Sequence, residues 1–74
     1  MQNEELMIIN GTLRNLCHDL NQRIQAIAGY SSLLRMNISE DSQLFKDISQ
    51  IEDQTYKAAD IVNKIIDTIK RLDY

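Results

Sequence analysis

Residues 44–72 read LFKDISQIEDQTYKAADIVNKIIDTIKRL. Within them Leu44, Ile48, Ile51, Thr55, Ala58, Val62, Ile65, Ile69 and Leu72 recur at intervals of four, three, four, three without a break. Sustained over four repeats, that pattern is the heptad seam of a helix packing knobs into holes. A second row, Phe45, Ala59, Ile61 and Ile66, widens the apolar face beyond a two-stranded seam. A face this wide fits a bundle, in which each helix meets more than one neighbour. Thr55, Ala58 and Ala59 thin the middle of the seam, which predicts close helix approach or looser packing there.

The residues before this stretch carry a second helical pattern: Leu6, Ile9, Leu13, Leu16, Leu20, Ile24, Ile27 and Leu34. Its spacing slips after Leu20, where Arg23 takes the strict heptad position and Ile24 follows, so the seam changes how it faces its partner there. Between the two patterns lies Asn37-Ile38-Ser39-Glu40-Asp41-Ser42. Ser39 suits an N-cap with Glu40 and Asp41 in the first turn, where carboxylates complement the dipole. Asn37 with Glu40 at its N3 position is the alternative cap. Nothing in the chain alternates with period two, and there is no proline. The expected fold is therefore all-α, a single domain over residues 1–74. Helix 1 spans about 3–36, the turn about 37–39 and helix 2 about 40–73. So short a connection makes the helices an antiparallel hairpin.

One hairpin leaves the wide face of its second helix uncovered, and a chain of 74 residues buries little surface by itself. Cys17 is the only cysteine, which rules out an internal disulfide. One His and one Cys adjacent in sequence do not make a structural zinc set. The remaining route to stability is association, and two hairpins pairing as a homodimer would close a four-helix bundle. A net charge of −3 argues against non-specific nucleic-acid binding. The longest apolar run, Leu6-Met7-Ile8-Ile9, is far too short to span a bilayer, and no secretory signal pattern is visible. The expectation is a cytoplasmic segment without membrane contact of its own, a membrane anchor elsewhere in a longer protein being compatible with it.

The only histidine, His18, falls opposite Leu16, Leu20, Ile9, Ile27 and Leu34 on a helical wheel, with Leu6, Leu13 and Ile24 flanking that stripe. It is expected to face water. Met7, Gly11, Arg14, Gln22, Gln25, Gly29 and Ser32 share its face, with Asn15 and Asn21 at the edges. The two glycines give up about 1 kcal/mol of helix propensity each relative to Ala. Close approach of a docking partner and simple tolerance of weak positions explain them equally well. Cys17, at the edge of the stripe, reads as a small buried hydrophobe. Tyr30, Tyr56 and Tyr74 read as packing or end residues, and Lys57, Lys64, Lys70 and Arg71 as a solvated flank.

His18-Asp19-Leu20-Asn21-Gln22, followed by Ile24-Gln25-Ala26-Ile27-Ala28-Gly29-Tyr30-Ser31-Ser32-Leu33-Leu34, resembles the dimerisation and histidine-phosphotransfer domain of sensor histidine kinases. The likeness runs over nearly the whole chain: phosphoacceptor helix, short turn, second helix. It implies that His18 accepts phosphate from ATP and passes it to an aspartate on the receiver domain of a response regulator. A neutral imidazole nitrogen near pH 7 is a suitable nucleophile. By the same resemblance Asp19 accepts the ring's proton, and Gln22 orients water for dephosphorylating the regulator. Asn21 takes no role. The chain departs from the family in having Arg23 where the family carries a proline. It also has no nucleotide-binding motif, so ATP and magnesium would be bound by a separate catalytic kinase domain and no cofactor by this chain. Whether the chain by itself counts as an enzyme is therefore open. The alternatives are a stand-alone histidine phosphotransferase that shuttles phosphate between regulators, and a non-catalytic helical-hairpin dimer acting as a scaffold. Without the motif, an exposed histidine with no chemistry would be the ordinary reading of His18.

Overall fold

The computed structural model describes residues 2–72 of the chain. Two helices, α1 (Gln2–Met36) and α2 (Gln43–Leu72), pack against each other as an antiparallel hairpin, with no strand among the described residues. The Cα trace extends 59 × 15 × 12 Å, a rod two helices wide and one helix thick. The expected end of the second helix at position 73 lies outside the described residues, as does Tyr74.

Side chains and backbone together fix the turn. Asn37 donates from Nδ2 to the Leu33 carbonyl at 2.9 Å and from its backbone N–H to the Leu34 carbonyl at 3.1 Å. It thus satisfies carbonyls that α1 leaves open at its end, without any residue of positive φ. The N-cap of α2 is Ser42, not Ser39 or Asn37: its Oγ accepts the Phe45 N–H at 3.1 Å, the N-cap to N3 bond. Helix 2 accordingly starts at 43 rather than 40, and Glu40 and Asp41 lie outside it. Ser39 stands one step back in the same network. Its carbonyl accepts the Ser42 hydroxyl at 2.7 Å and its Oγ accepts the Asp41 N–H at 3.4 Å. The serine that begins the uninterrupted apolar period wins the cap, because its carbonyl can then accept the Lys46 N–H at 3.4 Å.

The seam between the helices differs from the expected one. On α2 the heptad row splits. Ile48, Thr55, Val62 and Ile69 are buried, together with Ile66 of the second row. Leu44, Ile51, Ile65 and Leu72, the other half of the same row, are exposed, at 42–67%. On α1, Ile24 is the one member of the apolar stripe that is buried. Leu6, Ile9, Leu13, Leu16, Leu20, Ile27 and Leu34 stay exposed. The residues that meet α2 are Asn10, Arg14, Cys17, Asn21, Ile24, Ala28, Ser31 and Arg35, all buried or half-buried and spaced four, three, four, three. Two heptad rows therefore run side by side along α1, and the more polar one faces its own partner helix. At the slip after Leu20, Ile24 belongs to the inward row and Arg23 is exposed.

The hydrophobic cluster is correspondingly slight: Cys17, Ile24, Val62, Ile66 and Ile69, with Ala58 and Ala59 against it. Cys17 is the small buried hydrophobe expected. Among the described residues no large side chain is fully buried. Thr55, buried in the middle of α2, keeps its hydroxyl satisfied by donating to the Glu52 carbonyl at 2.6 Å. Looser packing at this level is visible as an open apolar groove lined by Ile24, Ile27, Ile51, Thr55 and Ala58.

Candidate functional site

Around the hairpin, the two rows on each helix define two broad faces. One is apolar: the leucine stripe of α1 beside Leu44, Ile51, Ala58, Ile65 and Leu72 of α2. Two grooves run along it between the helices, the second lined by Leu13, Ile61, Ile65, Ile69 and Leu72. The opposite face carries His18, Gln22, Gln25, Gly11 and Gly29 of α1, all exposed. By helical position, Tyr56, Asp60, Asn63 and Asp67 of α2 lie beside them.

His18 is exposed in the middle third of α1, about 90° around the helix from the inward seam and nearly opposite the leucine stripe. Its side chain is clear of both packing surfaces. Gln22, also exposed, stands one helical turn C-terminal on the same face, where helix geometry tilts its amide back toward the His18 turn. Asp19 is exposed too, but a third of a turn round on the outer edge of the hairpin. Its Oδ1 lies 3.7 Å from Arg23 Nε, an i,i+4 pair with side chains 61% and 76% exposed. All three residues drawn from the sequence thus sit within two turns of one helix. Asp19 is turned to Arg23, while His18 and Gln22 share a face.

An ideal Cβ placed on Gly11 or Gly29 meets nothing within 4 Å. The hairpin itself places no steric demand for glycine at either position. Asn21 lies toward the seam, half-buried, and its Oδ1 is buried without a hydrogen-bond partner. It is a desolvated acceptor immediately beside the site.

One cluster went unread in the sequence. Arg35, at the end of α1, spans to Glu52 of α2 through Nε at 3.1 Å and Nη2 at 3.2 Å. The Tyr56 hydroxyl reaches the same carboxylate at 3.4 Å, and the Arg35 guanidinium lies 6.0 Å from the centre of the Phe45 ring. The signal that could have found it is the row Phe45, Glu52, Ala59, Ile66. A carboxylate at a heptad position inside an apolar row needs a cation across the seam. Tyr56 is thereby partnered but, like Tyr30, it is exposed rather than packed. Among the described residues no group of three His, Cys, Asp or Glu side chains is placed to hold a metal ion, and no helix is long and apolar enough to cross a membrane. Set against known proteins, the chain matches no family model, no curated protein and no solved structure.

Proposed function

We propose that this chain is a dimerisation and histidine-phosphotransfer domain of the sensor histidine kinase type. His18 accepts a phosphoryl group and donates it to an aspartate of a response-regulator receiver domain. The observation that carries the reading is the placement of the one imidazole, exposed on a polar helix face turned away from both apolar packing surfaces. A phosphoacceptor has to meet two large partners in turn, a kinase domain and a receiver domain. A side chain inside either packing surface would meet neither.

In this reading the neutral ring nitrogen attacks phosphorus, and the proton on the other ring nitrogen passes to the Asp19 carboxylate. Gln22 holds the attacking water when the regulator is dephosphorylated. ATP and magnesium belong to a separate kinase domain; this chain supplies the acceptor.

The apolar face supplies the second half of the proposal. Two copies pair through it as a homodimer and close a four-helix bundle. A single hairpin with so slight a core, and a continuous apolar stripe on each helix left open, gains from covering both at once. That stripe alone would equally serve a scaffold without chemistry, so His18 decides between the two.

The test supplies a separate ATP-binding kinase domain with γ-labelled ATP and looks for acid-labile label on this chain. Label is expected on the wild-type chain and absent from His18→Gln. Label that persists in His18→Gln overturns the assignment.

A further inference from the structure

We propose that Arg23 is a brake on His18: it holds the Asp19 carboxylate away from the imidazole. This rests on reading His18 as the phosphoacceptor and adds a level of control to that site. On the wheel Asp19 falls between His18 and Arg23, so its carboxylate has two neighbours to choose from, on opposite sides. Helical side chains lean toward the N-terminus, so the long Arg23 side chain reaches back over the Asp19 turn. An acid four residues before a base is also the favourable orientation for such a pair. In the structure the carboxylate has gone to Arg23, with Oδ1 3.7 Å from Nε. Arg23 itself stands at the outer rim of the apolar face, beside Leu20 and Ile27 of the leucine stripe. Asp19 therefore bridges the polar face, where the chemistry would happen, and the apolar face, where a second copy would pack.

The consequence is kinetic. When the ring nitrogen of His18 attacks a phosphoryl donor, an N–P bond forms and the donor's leaving group departs with the bonding electron pair. The ring is left with a proton to lose from its other nitrogen. A carboxylate turned toward the Arg23 guanidinium is pointed away from that proton. Exposed i,i+4 pairs are weak, so the brake is partial, about twofold in rate.

The experiment uses phosphoramidate as a small-molecule donor, which needs no kinase domain. Its P–N bond breaks as the His18 N–P bond forms, and ammonia leaves. The rate of His18 phosphorylation is read by phosphorus NMR at fixed pH in the wild-type chain, Arg23→Gln, Asp19→Asn and the double variant. The proposal expects Arg23→Gln to speed the reaction about twofold when Asp19 is present, and not to speed it in the Asp19→Asn background. Arg23→Lys, which keeps the cation, restores the slow rate. The double variant removes the alternative that Arg23 merely alters attraction of the anionic donor, since that effect would survive loss of Asp19. An equal change in both backgrounds, or no change in either, overturns the brake. Neither result touches the phosphotransfer reading, which stands or falls on labelling by a kinase domain.

Discussion

At the scale of single residues, the hairpin seam is where charge and polarity cost most. Asn21 places an unpaired acceptor in it, and a buried acceptor without a donor is destabilising by about 1–3 kcal/mol. Asn21→Leu is therefore expected to raise stability by roughly 1–2 kcal/mol, read as an upward shift in thermal unfolding. A lower midpoint would show that Asn21 finds a donor in solution. Glu52 is the opposite case. It is held by two hydrogen bonds from Arg35 and approached by the Tyr56 hydroxyl, with its side chain 13% exposed. Arg35→Ala strands that carboxylate near the seam and is expected to cost about 1–2 kcal/mol, discounted because Arg35 itself is partly in water. The double variant with Glu52→Ala should recover part of the loss; additive losses would mean the two side chains do not interact. Little of this was legible in the sequence. Exposure of His18 follows from helical phase alone, but which way Asp19 turns depends on rotamers and on a competitor one turn away.

At the scale of elements, both helices were legible, because a four-three period over thirty residues admits one reading. Their ends were less so. Three hydroxyl or amide residues in six (Asn37, Ser39, Ser42) all satisfy the compositional rule for a cap, and only the start of the hydrogen-bonded period selects Ser42. Ser42→Ala is expected to lower stability by about 1 kcal/mol, while Ser39→Ala, whose Oγ makes one long bond to Asp41, should lower it less. The reverse order in denaturant titrations would return the cap to Ser39. Glycine acts at this scale too. With open space around both Cβ positions, Gly11→Ala and Gly29→Ala should each stabilise α1 by about 1 kcal/mol. If either slows transfer to a receiver domain while stabilising the helix, close approach by the partner explains the glycine; unchanged transfer leaves it as a tolerated weak position.

At the scale of the whole molecule, the sequence did not show which of two neighbouring rows of α1, one apolar and one largely polar, faces inward. Hydrophobicity alone favours the leucine stripe of α1 for the hairpin seam. The hairpin instead turns Cys17, Ile24 and their polar row-mates toward α2 and leaves the leucines outward. Two neighbouring rows differing by less than a quarter turn are resolved by how both helices dock, which no single-helix pattern contains. The outward stripe predicts association. Sedimentation at micromolar concentration should find a dimer, and Leu16→Glu with Leu20→Glu should give a monomer of much lower helicity. A wild-type chain that sediments as a well-folded monomer would remove the four-helix bundle. In such a dimer the His18 face would stay free, and the proposed phosphotransfer depends on that freedom. The most direct measurement incubates the chain with ATP and a separate kinase domain and locates the transferred phosphate by mass spectrometry at neutral to basic pH. The account predicts one acid-labile phosphate, on His18, and none on His18→Gln. Phosphate on another residue, or undiminished in His18→Gln, would contradict it.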